Sequence, residues 1–454
     1  MSSNKKMGLT QLTILVAVNM MGSGIIMLPA NLAQVGAISM LSWAVTAVGS
    51  MCIAYAFAQC GFFCSRSGGM SAYAEEAHGK SAFFLCSYTY FISLAIANVA
   101  IALTCVGYAA EFIPWLSASP INTCIGTIAI LMITCAANFG GPSLTGKIAG
   151  VTVWGVIIPV AGLSVIGWFW FDFDTFKMAW NPHNLSMGNA VSSSIALTLW
   201  AFLGMESACA NSDAVENPKK NVPLACLFGT AGAAVVYILS TGVMQGIVPN
   251  AELALSTSPF GLVFAHMFNP TVGMIVTVLA VIACIGSLLG WQFTIAQVSK
   301  AASDANLFPS IFSKVTKNDA PIVGMLIITA AECVFSLMTI SPNLSKQFEA
   351  VVNLAVFTNV VPYILALSGL IVIMRKAQVT AAVYKRNLII TMVAITYSFY
   401  GLYAAGTEAV FWGALVTVAG YVFYGFKAYE FERKSIEPSI VPSINDEHMP
   451  TAIA

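Results

Sequence analysis

The sequence contains few charged residues. Aspartate, glutamate, lysine and arginine make up 8% of its 454 residues, whereas soluble globular domains carry about 25%. The 19 basic and 19 acidic residues balance, so no net field favours nucleic acid as a partner. Because 58% of the residues are hydrophobic, the folded chain has too little polar surface for water. We therefore expect lipid to be the solvent for much of this chain.

Paired cysteines and metal-ligand spacings are also missing. Most of the 11 cysteines lie in apolar runs, which is typical of small buried side chains rather than of a disulfide framework. Cys60 and Cys64 stand one helical turn apart, but no histidine or second cysteine pair accompanies them. Residues 141–147 resemble a phosphate loop but lack the Ser or Thr that must follow the lysine. The sequence predicts no metal and no cofactor, and it disfavours an enzyme.

Twelve apolar segments are long enough to span a membrane, which takes about 20 residues as a helix. The predicted spans are residues 8–32, 37–63, 82–112, 120–139, 147–170, 189–211, 222–248, 270–300, 320–341, 347–374, 385–406 and 408–430. Backbone groups cannot stay unpaired in lipid, so these segments are predicted to be helices. The predicted fold is an all-α polytopic membrane protein, with residues 1–7 before the transporter domain of residues 8–430 and a disordered tail at residues 431–454.

Basic residues lie almost entirely on one side of these spans. Of the 19 lysines and arginines, only Lys177 and Lys346 fall on the side opposite the termini. The positive-inside rule therefore predicts that both termini are cytoplasmic. The outer side is acidic, which either concentrates cationic solutes there or reflects ordinary solvated loops.

The first span contains a glycine-rich break near its middle. Gly22, Ser23 and Gly24 permit an unwound backbone. Unwinding would free the amide groups at the start of the following half-helix, and such amides suit a carboxylate. Close packing through small residues is the other explanation of this motif.

The sixth span combines a break with a charge. Trp200 and Gly204 precede Glu206, which stands in an otherwise apolar run. An ionised side chain at that depth is costly and marks a functional site by default. The first and sixth spans correspond in an inverted five-helix repeat, and transporters bind substrate where such paired helices break. We therefore predict a secondary transporter with a midplane site and Glu206 as its charge.

Other polar and aromatic residues of the spans are candidates to complete this site. Tyr90 and Asn98 lie two turns apart on the third span, roughly on one face. Trp291 follows a glycine in the eighth span, and Tyr424 lies near the end of the twelfth. Tyrosine and tryptophan can stack on a cation and donate a hydrogen bond, although packing or an interfacial position is the alternative for each. Glu332, in the ninth span, is predicted to have a structural role or to contact another subunit.

Several of these motifs together resemble the amino acid–polyamine–organocation (APC) superfamily. The motifs are residues 19–25, residues 200–209, residues 216–218 with the following Pro223, and residues 290–292. Within the superfamily, the sequence resembles the basic amino acid/polyamine antiporters from about residue 5 to residue 432. The resemblance implies the LeuT-type fold: a 5+5 inverted repeat with discontinuous helices 1 and 6. Its repeats would cover about residues 8–170 and 189–374, with helices 11 and 12 at about residues 385–430.

The same resemblance implies roles for individual residues. The positions that match residues linked to polyamine movement are Cys60, Trp200, Glu206, Trp291 and Tyr424. Positions that match residues with smaller, modulating roles are Glu75, Tyr90, Cys209, Cys284 and Glu432. Two departures from the family pattern are Glu76, where an aromatic residue is expected, and Tyr421, where a tryptophan is expected. Both lie toward the predicted cytoplasmic side, so they bear on the relative affinities for uptake and export.

The resemblance further implies the transported solutes. It implies export of putrescine coupled to uptake of ornithine across the inner membrane of a bacterium, with proton-coupled putrescine uptake as a second mode and a homodimer as an assembly. In this scheme Glu206 pairs with an ammonium group common to both ligands. The alternatives are a sister exchanger for cadaverine and lysine or for agmatine and arginine, and a proton-coupled amino acid importer. Pocket length would separate the sister exchangers.

Overall fold

The computed structural model describes residues 7–64, 69–206, 215–304, 306–316, 320–338, 340–341 and 343–436. Cys209, one of the predicted modulating residues, lies outside these ranges. Within them the chain is helical and forms no β-strand. The predicted all-helical membrane protein is therefore confirmed.

The α-helices are numbered here in chain order. They are α1 (Leu9–Met20), α2 (Ser23–Ala33), α3 (Met40–Phe63), α4 (Gly69–Ala109), α5 (Pro120–Ala137), α6 (Pro142–Thr152), α7 (Trp154–Ile166), α8 (Phe173–Met178), α9 (Met187–Trp200), α10 (Pro218–Ile247), α11 (Asn250–Leu255), α12 (Pro259–Met267), α13 (Pro270–Asp304), α14 (Ile322–Met338), α15 (Leu344–Lys376), α16 (Ala381–Ala404) and α17 (Gly406–Ile436).

Most of the predicted spans appear as membrane-length helices. In the described part of the chain, 9 helices are long and apolar enough to cross a bilayer, and α1 with α2 makes a tenth, bent by 44° at its break. The two other predicted spans correspond to α14, an apolar helix of 17 residues, and to α9, which ends at Trp200 beside the second predicted break. Twelve crossings therefore remain a prediction.

Two helices differ in extent from the prediction. The third span was expected to begin at residue 82, but α4 begins at Gly69 and turns sharply at Gly79, whose φ of 73° is one that favours glycine. Residues 69–78 form an amphipathic helical arm there rather than a loop. The last helix, α17, continues to Ile436 beyond the predicted end at residue 430. Glu432 therefore lies within a helix and not in an irregular tail.

The helices pack in the pairs expected of an inverted repeat. α3 packs on α10, α4 on α13 and α5 on α14, and each pair joins helices with the same position in the two predicted repeats. The contact of α1 with α10 is matched by that of α9 with α3. The most extensive contact joins α4 and α15. These two helices enclose the region into which the breaks of α1–α2 and α9 project.

Candidate substrate-binding site

The two helix breaks meet at the centre of the bundle. α1 ends at Met20 and α2 begins at Ser23, so the backbone between them leaves the helical path. After α9 the chain turns at Gly204, whose φ of 107° is accessible almost only to glycine. A Cβ atom on Gly204 would lie 3.3 Å from the carbonyl oxygen of Asn19. The backbone at the second break therefore lies close to the backbone at the first, and glycine allows that approach because it has no side chain.

Glu206 lies at this junction with its carboxylate held by three donors. Its side chain is 3% exposed. Oε1 accepts a hydrogen bond from the Tyr90 hydroxyl at 3.0 Å, and Oε2 accepts from the Tyr363 hydroxyl at 2.5 Å and from the Gly204 amide at 3.0 Å. An ionised carboxylate can accept about four hydrogen bonds. One acceptor position is therefore left for a ligand.

A cavity opens beside Glu206. Its volume is about 40 Å³, which leaves room for a few water molecules. Its lining residues come from both breaks and from α4, α13 and α15: Asn19, Met20, Gly22, Gly24, Leu94, Ala97, Ile101, Trp200, Leu203, Gly204, Glu206, Trp291 and Asn359. The lining is mostly apolar, with a few polar groups beside Glu206.

The cavity also offers donors for an anionic group. The indole of Trp200 lies over Gly24, where a Cβ atom would stand 3.0 Å from Nε1. That Nε1–H is buried and has no hydrogen-bond partner among the residues that the structure describes. Close by, α2 begins at Ser23, and the first amides of a helix have no partner within it. A carboxylate at this end would meet an indole N–H and the positive end of a helix dipole.

Several predicted site residues come together here. Gly22, Gly24, Trp200, Glu206 and Trp291 line the cavity, and Tyr90 contacts it through Glu206. Ser23 begins α2 at the first break. Their joint use in substrate binding stays a prediction, but their placement around one cavity is what that prediction requires.

Asn98 does not lie with them. Its Nδ2 donates to Glu332 Oε1 at 2.6 Å, and it does not line the cavity. Tyr90 and Asn98 contact different carboxylates, Glu206 and Glu332, and a role of Asn98 in binding stays a prediction. Helical residues are about 100° apart, so eight positions leave them about 80° apart, enough for Tyr90 to face Glu206 while Asn98 faces α14. The predicted contact of Glu332 with another subunit is wrong, because its side chain is 0% exposed.

The predicted modulating residues lie away from the cavity. Cys60 is buried in α3, with its thiol 4.0 Å from the carbonyl oxygen of Ala366. Cys284 is buried in α13, and Glu75 is half-buried in the arm of α4 that precedes Gly79. Tyr424 packs against Phe84 with ring centroids 5.6 Å apart. If these residues affect transport, they do so along the pathway and not by touching a ligand at this cavity.

Sequence reasoning missed the contribution of α15. Tyr363 donates to Glu206, and Asn359, one helical turn earlier, lines the cavity with a buried Oδ1 that has no hydrogen-bond partner. The available signal was a pair of polar residues at positions i and i+4 of an apolar span. That spacing places both side chains on one face of α15.

Three of the six acidic residues on the predicted outer side are engaged locally. Glu111 Oε1 accepts from the Ser258 hydroxyl at 2.9 Å, and Glu252 lies 3.1 Å from His266 Nε2. Asp172 caps α8, and its hydrogen bonds from the Thr175 hydroxyl and from backbone amides lower its pKa. These local contacts favour the interpretation of ordinary loops over a rim built to concentrate cations.

Comparison with known proteins shows similarity along nearly the whole chain. A model of the family described as amino acid permease matches residues 7–426. The putrescine transporter PotE of Haemophilus influenzae is 54% identical over 433 residues, which cover 95% of this chain and 99% of that protein. PotE of Escherichia coli strain K12 is 56% identical over 434 residues, covering 96% and 99%. The cadaverine/lysine antiporter of the same strain is 33% identical over 444 residues, covering 96% and 98%.

Proposed function

Because this chain belongs to the amino acid permease family, we propose that it is a membrane transporter that exports putrescine in exchange for ornithine. The family and the named transporters among its relatives make it a transporter and not an enzyme. The observation that carries the choice of solute is the identity of 54% and 56% to two putrescine transporters over nearly their full length. The buried carboxylate of Glu206 beside a cavity supplies the chemistry for a cation.

Both solutes can use the same end of the cavity. An ammonium group of either ligand would fill the free acceptor position of Glu206, and the aromatic rings of Trp200 and Trp291 would wall the aliphatic chain and stabilise the cations. The carboxylate of ornithine would meet the Trp200 Nε1–H and the amides of residues 22–24. When putrescine is bound, water would take that position.

The exchange moves charge. Putrescine carries two positive charges and ornithine a net one, so each exchange exports one positive charge. Against a potential of about 100 mV, negative inside, this costs about 2.3 kcal/mol. A concentration gradient of the two solutes must therefore drive export. Putrescine uptake without ornithine would run with the potential, and coupling to protons through Glu206 is part of this proposal.

The remaining assignments follow from charge and resemblance. We place the protein in the inner membrane of a bacterium with both termini in the cytoplasm, because lysines and arginines concentrate on that side. Modulating roles are proposed for Cys60, Glu75, Cys284 and Tyr424. The same is proposed for Cys209 and Glu432 at the positions the resemblance implies. A homodimer embedded in lipid is proposed as the assembly, to be tested by the mass of the protein in lipid nanodiscs.

Competition measurements test the choice of solute. Purified protein is reconstituted into vesicles, and uptake of labelled putrescine is measured against unlabelled putrescine, cadaverine and agmatine. We expect putrescine to compete best, because it matches the solute of the relatives with 54% and 56% identity. The relative with 33% identity is named a cadaverine/lysine antiporter. Stronger competition by cadaverine would therefore indicate that the longer diamine, and not putrescine, is the preferred solute.

A further inference from the structure

A second carboxylate lies directly behind the wall of the cavity. Glu332 of α14 is 0% exposed. Its Oε1 accepts a hydrogen bond from Asn98 Nδ2 at 2.6 Å, and its Oε2 accepts from Gln292 Nε2 at 3.0 Å. Both donors are neutral amides, and within the described part of the chain Glu332 makes no ion pair. The titratable groups that interact with it are the thiols of Cys135 on α5 and Cys333 on α14.

The two amide partners are sequence neighbours of residues that line the cavity. Asn98 follows Ala97, and Gln292 follows Trp291; both preceding residues line the cavity. Consecutive Cα atoms are only about 3.8 Å apart, and packed helix axes lie about 8–10 Å apart. The carboxylate of Glu332 therefore lies on the order of 10 Å from a bound ligand, one layer of side chains away.

A buried carboxylate without a cation is costly. Two neutral hydrogen bonds only partly replace the water that an ionised group loses on burial. A transported cation in the adjacent cavity would act as the missing counter-charge. The cavity wall itself contributes Glu206, whereas the proposed solute has two ammonium groups. Among the described residues, Glu206 and Glu332 are the buried carboxylates, one for each positive charge of putrescine.

We propose that Glu332 is the second counter-charge for the transported diamine, acting through the cavity wall to favour ligands with two positive charges. This inference rests on the proposed function. It assigns Glu332 a role in specificity without contact with the ligand, while Glu206 makes the direct contact.

The expected effect scales with the charge of the ligand. At about 10 Å and an effective dielectric constant of about 20, one buried charge changes the affinity for a unit charge roughly tenfold. The affinity for a ligand with two positive charges should rise by up to about the square of that factor. The affinity for a monoamine should rise by the factor itself. A purely structural role of Glu332 would change the affinity for all ligands by the same factor.

The test compares Glu332→Gln with the unchanged protein in lipid nanodiscs. The Gln side chain has nearly the same size. Within the described part of the chain, Asn98 Oδ1 and Gln292 Oε1 are buried without hydrogen-bond partners, so an amide that turns can accept its new N–H groups. Equilibrium binding is measured for putrescine and for 1-aminobutane, which has the same carbon chain and one charge. We expect the preference for putrescine over 1-aminobutane to fall roughly tenfold in the Gln variant.

Two further variants complete the design. Glu332→Asp keeps the charge and should keep most of the preference, which a loss of packing alone would not explain. If the Gln variant does not fold, Glu332→Leu removes the charge with similar volume and takes its place in the comparison. A preference for putrescine that is unchanged on loss of the charge would overturn the inference, whether the affinities fall together or stay the same. Failure of the unchanged protein to bind putrescine would instead contradict the proposed function.

Discussion

At the scale of single residues, the proposed binding of a cation depends on the carboxylate of Glu206. Its three donors come from three separate parts of the chain: Tyr90 on α4, Tyr363 on α15 and the Gly204 amide at the break. These bonds fix the orientation of the carboxylate before a ligand arrives, so that binding does not have to order it. The acceptor position that remains is the one that an ammonium group would fill.

Replacing Glu206 with Gln should nearly abolish binding of both solutes. Removing one member of a buried charge pair costs about 2–5 kcal/mol, or roughly 30-fold to several-thousand-fold in affinity. Equilibrium binding of labelled putrescine and ornithine in nanodiscs measures this loss. Glu408→Gln is the matched control, because Glu408 is exposed in the first turn of α17. Unchanged putrescine affinity in the Glu206 variant would remove Glu206 from the site.

Replacing Tyr363 with Phe tests whether orientation of the carboxylate matters. The change removes one donor to Glu206 and leaves the ring, which packs edge-on against Phe57 at 5.0 Å. A hydrogen bond to a charged group is worth about 1.5–3 kcal/mol. Only part of this free energy should be lost from the binding free energy, so we expect putrescine affinity to fall about tenfold. Tyr400→Phe, in which the hydroxyl lost is bonded to Ser192, is the control. Equal effects of both changes would argue against a specific role for Tyr363.

Part of this site could be predicted from the sequence because its signals are local. A glycine pair and a lone carboxylate are conspicuous in apolar runs, and they led to Gly24 and Glu206. The polar pair of Tyr363 and Asn359 is less conspicuous, because a tyrosine or asparagine in a span has many structural uses. Their role depends on how α15 packs on α4, which is a contact between distant parts of the chain. The contact of Asn98 with Glu332 depends on packing in the same way.

At the scale of elements, the two breaks act as one unit. Gly204 and Asn19 touch, so a shift of either half-helix must move the other. The sequence predicted both breaks, because glycine lowers helix stability where it stands. It did not predict the turn at Gly79, nor the contact of the two breaks, which follows from tertiary packing. Added volume at Gly204 would therefore disturb both breaks.

Replacing Gly204 with Ala should disrupt the junction. Alanine at a φ of 107° is strained, at a cost of about 1–3 kcal/mol, and its Cβ would press on the Asn19 carbonyl at 3.3 Å. We expect a lower melting temperature in detergent and a weaker affinity for putrescine. Gly232→Ala is the control, since a Cβ there meets no atom within 4 Å and alanine favours the helix α10. Equal stability of the two variants would contradict the proposed contact between the breaks.

At the scale of the whole molecule, the orientation rests on the distribution of basic residues. A fluorescent protein that matures only in the cytoplasm, fused after residue 454, should be fluorescent if both termini are cytoplasmic. An alkaline phosphatase fusion at the same point should be inactive, because that enzyme needs the oxidising side for its disulfides. The opposite pair of results would reverse the orientation and refute the positive-inside assignment.

The charge moved in each exchange is a second property of the whole molecule. Export of putrescine for ornithine carries one net positive charge outward, so a negative interior should slow it by a cost of about 2.3 kcal/mol per 100 mV. Vesicles with an imposed potassium diffusion potential and a potential-sensitive dye measure this dependence. Exchange that is independent of the potential would rule out the proposed stoichiometry.

A counterflow experiment shows directly whether putrescine and ornithine exchange at one site. Vesicles with reconstituted protein are loaded with unlabelled putrescine, and entry of labelled ornithine is measured from a dilute external solution. We predict that internal putrescine accelerates ornithine entry above empty vesicles and drives its transient accumulation. Glu206→Gln should eliminate that difference. Ornithine entry that is unaffected by internal putrescine, in vesicles where the unchanged protein binds both solutes, would contradict the account.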